Sequence, residues 1–232
     1  GGATGLPRDT DQLDATKRYC PARALPEGLT YNVLLMAALP RNEKHIHVHK
    51  ELTRIQQCLE EDKADRFLMQ ITPSLEAATF QDTLFKSFRG GGNKLHLLHI
   101  SCHGERGDDD EGVLVFDDGS KVRAANTIRR ENCKCLHGVF LNACHSGCMT
   151  GTLLANGAAF VISCNQPVED TAALPFAECF YKRLFAGESL HDAFVVAEEQ
   201  LKALDLQQGM KKCKTVIELH CNADLLTKLA AQ

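Results

Sequence analysis

Two short segments of this chain can do chemistry. Leu98-His99-Ile100-Ser101-Cys102-His103-Gly104 delivers an imidazole, and Phe140-Leu141-Asn142-Ala143-Cys144-His145-Ser146-Gly147 delivers a thiol. Each is an apolar run ending in a reactive side chain beside a glycine, and His103 and Cys144 lie 144 − 103 = 41 positions apart. A free thiol is only a few per cent ionised near neutral pH, and a neighbouring imidazole raises the thiolate share. That makes His103 a candidate general acid/base and Cys144 a candidate nucleophile. Gly104 and Gly147 let backbone approach a substrate without a Cβ in the way. The N–H groups of Gly104 and Cys144 can then point at the oxyanion of a tetrahedral intermediate. The structural alternative is that Cys144 is one buried thiol among eleven and His103 a loop histidine. Their common placement at strand ends, each with a glycine close by, favours the chemical reading.

The elements that must position this pair alternate along the chain. Val33 to Leu39 is a continuous apolar run ended by Pro40, which suits a strand covered on both faces. After Asn42, a good N-cap, Val48, Leu52, Ile55 and Leu59 recur at helical spacing. Arg66 to Thr72 reads as a second strand, and Phe80, Leu84, Phe85 and Phe88 mark a second helix, closed by Gly90-Gly91-Gly92. Lys94 to Ser101 is a third strand leading to His103, followed by an acidic loop, Glu105 to Glu111. Val113 to Phe116 begins a hairpin that turns at Asp118-Gly119, and Ala124 to Arg130 is a short helix. Gly138 to Leu141 is the fourth core strand, leading to Cys144. Thr150 to Asn156 suits a helix and Ala158 to Cys164 a fifth strand. Thr171 to Phe185 and Leu190 to Leu204 are amphipathic helices, and the chain closes with a strand, Thr215 to Leu219, and a helix, Ala223 to Leu229. This order predicts an α/β fold with a mostly parallel sheet and helices on both faces. In such a sheet functional groups collect at the carboxyl ends of the strands, where His103 and Cys144 both fall.

Composition narrows the classes. A chain of 232 residues that is 44% apolar can bury one substantial core. A net charge of −4 leaves no electrostatic footprint for nucleic acid or an anionic membrane. No apolar stretch approaches the roughly 20 residues of a spanning helix, and no signal-peptide core is evident at the N-terminus. Eleven cysteines without an export signal point to a reduced, cytoplasmic setting rather than a disulfide framework. Residues 1 to 28 carry three prolines and little periodicity, so they read as a linker or the remnant of an upstream region, with the globular domain at 29 to 232.

His-Gly after one strand, with Asn-Ala-Cys-His-Ser-Gly after the next core strand, resembles the caspase-like (clan CD) cysteine peptidases. Residues 30 to about 205 look like a CHAT domain, the branch related to separases and bacterial caspase-like effectors. Leu34 to Pro40, Gly157 to Ile162, Val168 to Ala173, Phe180 to Leu184 and Ala186 to Leu190 carry the match further. The resemblance implies a caspase-like three-layer sandwich around a six-stranded sheet. It also implies peptide-bond hydrolysis with His103 as acid/base and Cys144 as nucleophile, and no cofactor. Metacaspases place an acid two residues before the nucleophile to help bind a basic P1 side chain; Asn142 stands there instead. In separase and CHAT-type relatives, an acid after the fifth strand helps form the S1 pocket. Asp170, with Glu169 beside it, matches that position, and a carboxylate there favours Arg or Lys at P1 through a charge-assisted contact. These acids can equally cap the helix beginning near Thr171, and the two roles are compatible.

The expectation is therefore a cytoplasmic cysteine endopeptidase acting on a protein or peptide substrate after a basic residue. It would be a regulated effector in a signalling, defence or cell-death pathway, with a regulatory partner or upstream sensor module. The alternative is an idle caspase-like scaffold working by protein–protein contact. Other features read as structural: Asp108 to Glu111 as a solvated loop lacking calcium-loop spacing, His45, His47 and His49 as helix surface, and Cys133 and Cys135 as a C-x-C without a zinc partner. Cys102 is expected to point away from the rim and pack inward.

Overall fold

The computed structural model describes residues 30–40, 48–62, 66–88, 94–108, 111–123, 128, 136–168, 170–207 and 217–222. The expected helices at 124–130 and 223–229 and residues 1–28, His45, His47, Cys133 and Cys135 lie outside the described residues.

Strands β1 (Thr30–Ala37), β2 (Phe67–Thr72), β3 (Lys94–Ser101), β7 (Leu136–Asn142), β8 (Phe160–Cys164) and β9 (Ile217–Cys221) form one sheet in the order β2-β1-β3-β7-β8-β9. All neighbours are parallel except β8 and β9. A period of two along each strand sends alternate side chains to opposite faces. Tyr31, Val33, Leu35, Leu97, Phe140 and Ile162 face one core, covered by α1 (Val48–Asp62), α4 (Asp170–Phe185) and α5 (Leu190–Gln207). Leu34, Met36, Leu98, Ile100, Val139 and Leu141 face the other, beneath α2 (Ala77–Phe88) and α3 (Thr150–Ala155). Continuous burial along β7 and β8 is the reason both read as unbroken apolar runs. No described helix is long and apolar enough to cross a membrane.

One element departs from expectation. The third strand stops at Ser101, and Cys102 turns the chain. His103 then opens β4 (His103–Arg106), which takes Glu105 out of the expected acidic loop. β4 pairs antiparallel with β5 (Gly112–Val115), and β5 with β6 (Lys121–Arg123), giving a separate three-stranded sheet. The expected turn at Asp118-Gly119 joins β5 to β6, with Gly119 at φ 75°. The bond from Cys102 N–H to Asn142 O, at 3.3 Å, carries pairing on past Ser101.

Candidate active site

Register brings the two reactive segments together. On the parallel strands β3 and β7, His99 stands opposite Phe140 and Ser101 opposite Asn142. His103 and Cys144 each follow two residues beyond the Ser101–Asn142 pair, so both leave the same sheet edge. Both are half-buried and line one cleft that opens to solvent.

The backbone around them is closely fitted. A Cβ on Gly104 would lie 2.0 Å from the Cys144 carbonyl oxygen and 2.9 Å from its nitrogen. The strand that carries His103 thus rests directly on the Cys144 peptide, and only glycine permits that approach. Immediately after Cys144, His145 adopts a left-handed conformation at φ 58°. That is a sparsely populated region for a residue with a Cβ, found where surrounding structure overrides local preference. It reverses the chain into the 3-10 turn Ser146–Met149. Ser146 is buried; its hydroxyl donates to Leu141 O (3.1 Å) and accepts from Cys164 N–H (2.9 Å), tying the turn to β7 and β8. A Cβ on Gly147 would meet the Asn165 Oδ1 at 1.8 Å, a side-chain atom that can swing aside more easily than the backbone met at Gly104.

The thiols divide by environment. Burial pushes Cys102 and Cys164 up to about 12 and Cys58 up to about 11, which holds all three protonated near neutral pH. Cys102 packs into the second core, as its position beside His103 predicts. Cys144 is half-buried and Cys148, at the end of the 3-10 turn, is exposed.

The cleft floor holds a residue that sequence reasoning missed. Glu51, on the first turn of α1, is buried and lines the cleft. It accepts from Ser101 Oγ (2.7 Å, on Oε2) and Asn142 Nδ2 (2.7 Å, on Oε1). His99 Nε2 lies 3.0 Å from Oε1, too oblique for a well-formed hydrogen bond. The signal was available: Glu51 falls in the inward stripe of Val48, Leu52, Ile55 and Cys58, where a carboxylate has no business without partners. Val168, Ala173 and Leu174 form an apolar wall, and among the described residues no lysine or arginine lines the cleft. Asp170 opens α4, two residues after Val168; Glu169 lies outside the described residues.

Features expected to be structural fall elsewhere. His49 and Asp108 are exposed, and Glu111 pairs with Arg123 at 3.7 Å. No group of metal-ligating side chains occurs among the described residues.

A three-layer α/β sandwich with a thiol and an imidazole on one rim is the caspase-like architecture. The model of the CHAT domain matches residues 8–215, and the chain belongs to that family. The fold is similar to the Drosophila initiator caspase Dronc, with a TM-score of 0.57 and 12% identity over 82% of this chain and 78% of that one. It is also similar to a secreted C11 cysteine protease from Bacteroides thetaiotaomicron, solved with an irreversible peptide inhibitor. There the TM-score is 0.54 and the identity 11%, over 76% of this chain and 60% of that one. No curated protein matches the chain.

Proposed function

We propose that this CHAT domain is a cysteine endopeptidase that cleaves protein substrates after arginine or lysine, as a regulated effector in the cell interior. The observation that carries the reading is the shared cleft, lined by Cys144, His103 and Glu51 together, with no lysine or arginine among its described lining residues. His103 takes the Cys144 proton, and the sulfur attacks the scissile carbonyl. The N–H groups of Gly104 and Cys144 hold the oxyanion. The imidazolium returns its proton to the leaving amine, and a water activated by His103 releases the acyl group. A P1 guanidinium or ammonium passing Val168, Ala173 and Leu174 meets the Glu51 carboxylate in a charge-assisted contact. Asp170, the acid that the family resemblance assigns to S1, follows Val168 by two residues at the start of α4.

Selective alkylation tests the dyad. Cys148 is the more exposed thiol, so access alone predicts that iodoacetamide modifies Cys148 before Cys144. An activated Cys144 reacts first, and His103→Ala removes that advantage. On Arg-, Lys- and Asp-terminated fluorogenic peptides, the wild type cleaves the first two and Cys144→Ala none. Early labelling at Cys148, with no cleavage of any peptide, gives the scaffold reading instead. Preference for Asp overturns the pocket assignment.

A further inference from the structure

Behind Glu51 lies a buried polar string that the catalytic steps do not use. His99 is fully buried, and its Nδ1 lies 3.3 Å from the Tyr181 hydroxyl, itself buried on α4. Around these two is an otherwise apolar aromatic layer. The Phe140 ring meets the His99 imidazole edge-on at 4.7 Å and stacks over Tyr181 at 6.1 Å, with Phe176 and Phe180 beyond. An imidazole and a phenol contribute nothing to such a layer that Leu and Phe would not, and burying them carries a desolvation penalty.

The direction of the string follows from its ends. A carboxylate only accepts, so the ring nitrogen facing Glu51 carries the proton. That tautomer leaves Nδ1 as an acceptor, and the Tyr181 O–H donates to it. Burial, and after it the charge of Glu51, push Tyr181 well above its ordinary range, so its proton stays in place. A carboxylate offers about four lone-pair sites. Ser101, Asn142 and His99 approach three of them, which leaves about one for a cationic group entering the cleft that Glu51 lines.

We infer that His99, held by Tyr181, is a positioning residue for P1 selectivity: it sets the orientation of the Glu51 carboxylate that receives a cationic side chain. The inference rests on the S1 assignment above. It makes discrimination between arginine and its neutral isostere citrulline depend on an imidazole that no substrate atom touches.

The experiment compares kcat/KM for matched peptides ending in arginine or citrulline. Glu51→Gln tests the pocket itself and is expected to abolish the preference for arginine. His99→Leu replaces the polar ring 3.0 Å from Glu51 Oε1 with an apolar group and is expected to lower the Arg/citrulline ratio about tenfold, the scale of an under-satisfied buried acceptor, through the KM of the arginine peptide. His99→Gln, which places an amide N–H where Nε2 was, restores most of the ratio. Tyr181→Phe, which removes one hydroxyl, lowers it about threefold on the scale of a neutral hydrogen bond. A purely packing role would depress both peptides equally and leave the ratio intact. A ratio within twofold of wild type in His99→Leu, or in Tyr181→Phe if His99→Leu does not fold, overturns the inference while Glu51→Gln still collapses it. A ratio unmoved by Glu51→Gln, or absent in the wild type, overturns the S1 assignment instead.

Discussion

Gly104→Ala puts the reasoning about the rim under the most direct strain, because the structure fixes the displacement it demands. The added Cβ would sit 2.0 Å from the Cys144 carbonyl oxygen, and ordinary contact begins at 3.4 Å, so 3.4 − 2.0 = 1.4 Å must be found. Neither neighbour can yield as a flexible side chain would, since the atoms met are backbone oxygen, nitrogen and carbon. The Cys144 peptide is fastened through Ser146 to β7 and β8, so the start of β4 moves, and His103 moves with it. A misplacement of about 1 Å at a reacting centre costs on the order of 100-fold in rate. The expected result is a fall of about two orders of magnitude in kcat/KM on an arginine reporter. The overpacking itself costs about 1–3 kcal/mol, so the protein still folds and the melting temperature falls by several degrees. Gly151→Ala supplies the control: a Cβ there meets nothing within 4 Å in helix α3, and alanine is expected to stabilise by about 0.5–1 kcal/mol with activity kept. A Gly104→Ala protein within threefold of wild-type activity would refute the close contact between the His103 and Cys144 segments.

Ser146→Ala strips the turn after the nucleophile of both its ties. It leaves the Cys164 N–H without its partner in the interior, at about 1–3 kcal/mol, and lowers the melting temperature by about 5 °C; calorimetry showing less than 1 °C of change would dismiss the clamp. His137 gives a pH signature of stability. It is buried against Tyr31 and Phe160, and desolvation lowers it to about 4 from the ordinary 6.5. The unfolded chain therefore binds a proton that the folded chain refuses between those values, and stability present above pH 6.5 drains away as pH falls toward 4. The loss is about 3 kcal/mol from this group. Urea midpoints at pH 7 and pH 4 measure it, and His137→Phe is expected to flatten the difference; an identical pH slope in both proteins removes the assignment.

The parts of this fold that could be read from the sequence are those whose signals are local. Strands β1, β3, β7 and β8 are covered on both faces, so burial writes itself as continuous apolar runs, and the helices between them carry their inward stripes at helical spacing. The thiol and imidazole stood out because each closes such a run. β4 escaped notice because His103–Arg106 has no apolar or alternating signature; it is a strand only because the Gly112–Val115 segment returns to pair with it. Glu51 escaped notice for a related reason. On a surface helix an isolated glutamate is the commonest of residues, and its meaning depends on Ser101 and Asn142, which lie 50 and 91 positions away along the chain.

Asn142 ties these observations together. It departs from the metacaspase pattern, which has an acid two residues before the nucleophile, and read alone it weakens the case for a basic P1 pocket. In the structure its amide nitrogen donates to Glu51 Oε1 at 2.7 Å. An aspartate at 142 would bring a second carboxylate to the same buried oxygen, and two such groups in one site cannot both stay ionised. In the proposed S1 pocket the acid comes from α1, and the rim position is then better filled by a donor than by another acid. The substitution at 142 and the glutamate at 51 are two halves of one arrangement, joined only when β7 and α1 are brought face to face.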